Sequence, residues 1–167
     1  MRLIKIRRLG ILDAEDYRAI RLAALKQAPE AFGSTYEVEA ARSAADFADR
    51  LAISVVFGAY AGEKIVGVAG FKREIGQKDA HKGFVWGMYV RPGLRRHGVG
   101  AALIEALLQS AGQVVEQLTL TVVKGNDAAV AMYQKFGFEI YGVEPRALRS
   151  DTGYSDEVLM VRFLRPN

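Results

Sequence analysis

Hydrophobic positions along the chain follow two periods, and the period of each stretch predicts whether it forms a strand or a helix. Alternation predicts strands, and one nearly continuous apolar run, "GFVWGMYV", is typical of a strand buried on both faces. Gly87 within that run predicts a bulge or a close approach of another backbone. The first strand is expected to place Leu3 on one face and Arg2, Ile4 and Ile6 on the other. The predicted strands cover residues 2–9, 54–61, 64–74, 83–90, 117–123, 138–143 and 156–164.

Apolar positions spaced by three or four residues predict helices between these strands. Asp13 is expected to cap the first helix, in which Tyr17 and Ile20 share one face, and "APEAFGSTYE" ends it. The last helix is expected to end at Gly137, because the residue after a helix often adopts the left-handed conformation that glycine tolerates. The other helices are predicted over residues 44–53, 98–111 and 126–136.

The order of these elements predicts the fold class. One strand is followed by two helices, three strands, a helix, a strand, a helix and two strands, and Gly62-Glu63 joins two of the strands as a hairpin. This order is typical of an α/β sandwich around one mixed sheet. The length of 167 residues suits one core, so we expect a single domain spanning residues 1–167.

Composition excludes several kinds of site. The chain has no cysteine, which rules out disulfides, thiolate nucleophiles and cysteine-based metal sites, and with only His81 and His97 no metal is expected. Half of the residues are hydrophobic and a quarter are charged, which is ordinary for a folded protein. No run approaches the ~18 apolar residues of a membrane span, and charges interrupt the first ten residues. A cytoplasmic protein without a membrane partner is therefore expected.

Positive charge is concentrated in one loop, although the net charge is only +4. Arg91, Arg95, Arg96 and His97 precede Gly98 where a buried strand turns into a helix. A helix N-terminus presents free N–H groups and partial positive charge, and glycine lets a phosphate approach the backbone, so the loop is typical of a pyrophosphate site. It has neither the Walker nor the dinucleotide-binding spacing. The alternative is a turn with a solvated cationic rim.

Two motifs together indicate a family. The first is Arg95-x-x-Gly98-x-Gly100-Ala101, placed between "MYVRP" and "LIEALL", and the second is "NDAAVAMYQKFGFE", one strand and one helix later. Both resemble the signatures of the GNAT N-acetyltransferase superfamily, in the order that this family has them. The resemblance implies a mixed, mostly antiparallel sheet flanked by helices on both faces.

The resemblance also implies acetyl-CoA as the co-substrate. Met88 to Val90 would pair with the pantetheine arm where this strand separates from the next, and the N–H groups after Arg95 would hold the pyrophosphate. Tyr133 would direct its hydroxyl at the thioester sulfur as the catalytic acid. The implied acetyl-CoA residues are Met88, Tyr89, Val90, Arg95, Arg96, His97, Gly98, Val99, Gly100, Ala101 and Asn126.

Two of these residues also have simpler interpretations. Asn126 is a favoured N-cap residue, whether or not it contacts a ligand. Tyr133 shares helical spacing with Ala129, Met132 and Phe136, which is also the pattern of a core aromatic. Both interpretations stay open for each residue at this stage.

The absence of cysteine bears on the mechanism, because cysteine is the usual acyl carrier of a two-stage transfer. Direct attack by an amine in a ternary complex is therefore expected. Glu37 and Glu74 are the candidate substrate residues and proton acceptors. Glu30 and Glu39 lie beside Glu37 in a segment with two aromatic residues, a mixture that suits an ammonium group.

We expect the acceptor to be a small primary amine, with a cationic one suited to that acidic segment. The alternatives are a protein N-terminus or lysine, and a non-catalytic acyl-CoA-binding module. A nucleic-acid partner is not expected, because no aromatic platform or basic stripe accompanies the arginines. The protein is expected to be a monomer or a homodimer.

Overall fold

The computed structural model describes residues 3–165, and the parts of our predictions that fall on residues 1, 2, 166 and 167, including the face assigned to Arg2, lie outside this range. The strands and helices follow in chain order: β1 (Ile4–Arg8), α1 (Ala14–Gln27), α2 (Tyr36–Ala40), α3 (Ala44–Ile53), β2 (Val55–Ala61), β3 (Lys64–Arg73), β4 (Lys82–Val90), α4 (Val99–Ala111), β5 (Gln117–Val123), α5 (Asp127–Lys135), β6 (Glu139–Ser150) and β7 (Gly153–Phe163).

All seven strands belong to one sheet, in the order β1-β2-β3-β4-β5-β7-β6. Every neighbouring pair is antiparallel except β4 and β5, which run parallel. One apolar cluster packs α4 and α5 against one face of the sheet, and a second packs α1 and α3 against the other. The predicted fold class, a mixed and mostly antiparallel sheet with helices on both faces, is confirmed.

The two parallel strands separate shortly after they meet. They pair at Lys82↔Gln117, Gly83↔Leu118 and Phe84↔Thr119, and within residues 3–165 they have no pair beyond these. Next to the separation, β4 has the predicted bulge: Gly87 has a φ of 68°, and two residues of β4 lie opposite one of β3. A gap therefore opens in the middle of the sheet, between the second half of β4 and the second half of β5.

Three details differ from the sequence predictions. β4 is not buried on both faces, because Trp86, Gly87 and Met88 border the gap and are only half-buried. The segment after α1 contains a short helix, α2, whose first turn is capped by the Thr35 hydroxyl accepting from the Val38 N–H at 3.4 Å. The last two strands form a longer hairpin than predicted. The outer part of this hairpin is exposed and lacks the apolar alternation from which strands were predicted.

Within the described range, no helix combines the length and the apolar character that crossing a membrane requires.

Candidate active site

The cationic loop leads into α4 through two left-handed residues. Gly98 is the N-cap of α4 with a φ of 79°, and Arg96 has a φ of 63°. The Ala102 N–H donates to the Gly98 carbonyl at 3.0 Å, which closes the first turn of the helix. The amides of Val99 to Ala101 lie in that first turn, where an α-helix offers no carbonyl to receive them. They can therefore bind an anion.

The loop's cationic side chains have different surroundings. Arg95 is fixed: its Nε donates to the Val90 carbonyl at 2.9 Å, and its Nη2 donates to Oε1 of Gln27 at 2.8 Å. Arg96 is exposed. His97 donates from Nδ1 to the Arg95 carbonyl at 2.7 Å and lines a separate depression on the other side of the loop. Arg95 therefore shapes the loop, whereas Arg96 leaves its charge available.

A cleft of about 800 Å³, here called the outer cleft, runs from this loop to the gap in the sheet. Seven of the predicted acetyl-CoA residues line it: Met88, Tyr89, Val90, Arg95, Arg96, Gly100 and Asn126. The other four do not. Val99 is buried in the core, and His97, Gly98 and Ala101 contribute to the loop and helix start without lining the cleft.

A second cavity of about 320 Å³, here called the inner cavity, lies in the gap itself. It shares seven lining residues with the outer cleft, so the two are continuous: Ala31, Phe32, Met88, Val123, Asn126, Ala129 and Met132. Its further lining includes side chains from both sides of the sheet: Arg21, Trp86, Thr121, Tyr133, Leu148 and Glu157.

Tyr133 lines the inner cavity, although only 6% of the residue is exposed. Its ring packs edge-on against Phe138 with centroids 5.7 Å apart. Burial raises the pKa of the Tyr133 hydroxyl above its ordinary value of 10.0, which keeps the phenol protonated at neutral pH. The structure thus confirms Tyr133 as a core aromatic that also reaches the cavity, and the catalytic role of its hydroxyl stays a prediction.

Asn126 is confirmed as an N-cap, and its contact with a ligand stays a prediction. Its Oδ1 accepts from the Ala129 N–H at 3.4 Å, which makes it the N-cap of α5. It also lines both the outer cleft and the inner cavity.

The carboxylates chosen from the sequence are not brought together. Glu74 follows β3 and its N–H donates to the Lys82 carbonyl at 2.9 Å, so it lies where β4 begins, at the opposite end of that strand from the outer cleft. It lines neither cavity. Glu37 is exposed in a neighbouring groove lined by residues 149–152, and Glu30 lines the outer cleft.

Glu39 cannot serve an ammonium group as the sequence suggested, because it is 3% exposed and already paired. Its Oε2 accepts from Nη1 of Arg50 at 2.8 Å, and its Oε1 lies 3.9 Å from Nη2 of Arg21. Burial opposes its ionisation, but the Arg50 hydrogen bond and the two positive charges hold the pKa of Glu39 below its usual value. The sequence assigned this carboxylate to the acceptor; the structure assigns it to two arginines.

Sequence reasoning missed Arg21 and Glu157, which are the charged residues lining the inner cavity in the described chain. A signal for Arg21 was present, since it lies four residues after Tyr17 and next to Ile20 on the apolar face of α1. A charged residue on a buried helical face needs a partner or a function. Glu157 had no comparable signal, because it stands at the start of the strand predicted over residues 156–164, and carboxylates are common at such positions.

Comparisons with known proteins bear on this site. The model of the acetyltransferase (GNAT) family matches residues 17–138. Among curated proteins, the uncharacterized protein ML0378 of Mycobacterium leprae is 36% identical over 89 residues, which is 53% of this chain and 24% of that protein. The chain thus matches about a quarter of the length of this relative.

Solved structures share the fold over nearly the whole chain. The GNAT-family acetyltransferase of Streptococcus pneumoniae superposes with a TM-score of 0.85 and 23% identity, covering 96% of this chain and 99% of that one. The ribosomal-protein-S18-alanine N-acetyltransferase of Escherichia coli has a TM-score of 0.75 and 20% identity, covering 99% and 96%. Salmonella typhimurium yncA, solved with its cofactor acetyl-CoA, has a TM-score of 0.82 and 16% identity, covering 99% and 96%.

Proposed function

Because the chain belongs to the acetyltransferase (GNAT) family, we propose that it transfers an acetyl group from acetyl-CoA to a small primary amine by direct attack in a ternary complex. The observation that carries this proposal is the continuity of the two cavities. The outer cleft begins at the start of α4, where free amides suit an anion, and the inner cavity is lined by Tyr133, with the gap between β4 and β5 joining them.

The residues of the outer cleft fit acetyl-CoA. The first-turn amides of α4 and the charge of Arg96 suit a pyrophosphate, since a helix start and a cation both stabilise negative charge. The backbone of Met88 to Val90 has no β5 partner in residues 3–165, so its polar groups on that side, apart from the Val90 carbonyl that receives Arg95, can pair with the amides of a pantetheine arm. Gly100 permits close packing here, because a Cβ on it would lie 3.1 Å from Cε of Met88.

Acetyl-CoA supplies a thioester. The amine attacks its carbonyl carbon, and the CoA thiolate is the leaving group. In the proposed reaction the acceptor's ammonium group loses one proton before attack. The amide C–N bond to the acetyl carbon then forms as the C–S bond of the thioester breaks, and the nitrogen loses a second proton. One of these two protons ends on the CoA thiol and the other is released. Tyr133 donates a hydrogen bond to the sulfur while charge develops on it, and a positioned donor of this kind is typically worth ~10²–10⁴-fold in rate.

Glu157 is the carboxylate we assign to the first proton transfer, directly or through a water molecule. It lines the inner cavity from β7, where it pairs with Val123 of β5, and its side chain is partly accessible. The size of the inner cavity, about 320 Å³, supports a small acceptor, since small-molecule sites begin at about 300 Å³.

Steady-state release of CoA tests this function. The purified protein would be given acetyl-CoA and a panel of amino acids, polyamines, aminoglycosides and short peptides, with thiol release followed over time. Turnover of small amines supports the proposal. Turnover of peptides alone would assign the protein amine alternative, and acetyl-CoA binding without amine-dependent release would assign a non-catalytic module.

A further inference from the structure

Arg21 is a buried cation at the acceptor end of the site. It is 9% exposed, it lies on the sheet-facing side of α1, and it lines the inner cavity. Its Nε is buried without a hydrogen-bond partner among residues 3–165. Nη2 reaches Oε1 of Glu39 only at 3.9 Å, which is beyond hydrogen-bond distance. The guanidinium is therefore incompletely paired within the described chain.

The charge balance around Arg21 is positive. The same carboxylate, Glu39, receives the short hydrogen bond of Arg50 at 2.8 Å, so one negative charge serves two arginines. Burial lowers the pKa of Arg21, but an arginine stays protonated at physiological pH. A buried charge that is only partly compensated is costly, and an incoming anion would offset that cost.

The position of Arg21 directs this charge toward the reaction centre. Its guanidinium carbon lies 5.2 Å from the ring centre of Phe32 and 6.0 Å from that of Trp86, and both rings line the inner cavity. Nη1 approaches the bulge of β4, since a Cβ placed on Gly87 would lie 3.8 Å from it. Nonpolar walls and a nearby bulge thus hold the guanidinium beside the cavity that Tyr133 also lines.

Charge at the inner cavity is therefore split between two residues, with Arg21 on α1 and Glu157 on β7. Resting on the proposed function, we propose that Arg21 binds a carboxylate of the acceptor, so that the substrate is an amine bearing a carboxylate, of the size of an amino acid. The planar guanidinium presents parallel N–H groups that match a carboxylate. The ammonium of the same molecule then faces Glu157. This acceptor is zwitterionic, unlike the cationic amine that the acidic segment after α1 suggested.

The test compares each amino acid of a panel with its own carboxamide, which keeps the amine and the side chain but removes the negative charge. For the wild-type protein, kcat/KM for the amino acid should exceed that for the carboxamide by ~10–100-fold, the usual worth of hydrogen bonds to a charged group. Equal values, or a preference for carboxamides, would overturn the assignment while leaving the acetyltransferase proposal standing.

Two variants separate recognition from structure. Arg21→Gln should bring the carboxylate-to-carboxamide ratio close to one. Arg50→Gln is the matched control, because Arg50 makes the shorter contact with Glu39 but does not line the inner cavity. It should keep the wild-type ratio. The same loss of ratio in both variants would show that Arg21 acts only by holding Glu39, and would overturn the proposal.

Binding provides a readout independent of turnover. Calorimetry would measure the affinity of the CoA-bound wild-type protein for N-acetyl amino acids and for their carboxamides. Tighter binding of the carboxylates supports the role of Arg21 even if Arg21→Gln does not fold, and equal binding contradicts it. Failure of the wild-type protein to bind acetyl-CoA would contradict the proposed function itself.

Discussion

Arg95 donates its Nε–H to the main-chain carbonyl of Val90 at 2.9 Å, so this arginine of the cationic loop is bonded to the end of β4. A second bond, from its Nη2 to Gln27, connects the same side chain to the end of α1. The guanidinium also lies 5.7 Å from the ring centre of Tyr89. The charge pattern alone would assign Arg95 to phosphate binding, but its side chain also connects the cationic loop to β4 and to α1.

This relationship predicts different results for two neighbouring arginines. Arg95→Ala should weaken acetyl-CoA binding by more than ~10-fold, because it removes charge and also frees the loop from β4 and α1, each hydrogen bond of a charged group being worth ~10-fold or more. Arg96→Ala removes one exposed charge and should cost only a few-fold. Calorimetric titration of both folded variants measures the difference. A larger loss in Arg96→Ala would reverse the two roles.

Gly98 offers a charge test with a built-in control. Gly98→Glu places a carboxylate beside the anion-binding amides and should abolish measurable acetyl-CoA binding. Gly98→Ala introduces the same left-handed strain at a φ of 79°, about 1–2 kcal/mol, but no charge, and its Cβ would meet nothing within 4 Å. It should retain most of the affinity. Equal affinities of the two variants would mean that the phosphates bind elsewhere.

The structure shows which kinds of information the sequence carries. Gly87 and Gly98 were predicted correctly as a bulge and a helix start. The backbone geometry at a glycine is a local property, so it can be recognised from the residues next to it in the sequence. Glu39 was misassigned, because its partners Arg21 and Arg50 are brought to it by packing of separate helices. Such partners are far apart in the chain, and no local pattern identifies them.

Replacing Tyr133 by Phe tests the proposed donor to the sulfur. The ring packing against Phe138 is kept and the hydroxyl is lost, so acetyl-CoA affinity should change little while kcat falls by ~10²–10⁴-fold. Single-turnover kinetics at saturating acetyl-CoA and the best acceptor of the panel would measure the chemical step. Phe138→Leu, which disturbs the same packing but keeps the hydroxyl, is the control. Unchanged kcat in Tyr133→Phe would leave the residue with a packing role alone.

Glu157→Gln tests the proposed proton acceptor. The amide keeps the shape of the side chain but is a poor base, so kcat should fall by at least ~10²-fold with unaltered acetyl-CoA affinity. Glu74→Gln is the matched control, since Glu74 lines neither cavity, and it should behave as the wild type. If Glu74→Gln loses activity and Glu157→Gln retains it, the proton is taken by a different route from the one proposed.

Three buried tyrosines predict how stability depends on alkaline pH. Burial raises the pKa of Tyr17 to about 12 and raises those of Tyr60 and Tyr133 above the ordinary 10.0. Above pH 10 the unfolded chain ionises these phenols while the folded chain keeps their protons, so the folded state binds more protons and the free energy of unfolding falls as pH rises. Urea denaturation between pH 8 and about 11 would measure this decline, which should steepen above pH 10 by about 1.4 kcal/mol per pH unit for each tyrosine. Tyr133→Phe removes one titrating group and should reduce the slope by one such step; an unchanged slope would mean that Tyr133 is ionised at high pH in the folded protein.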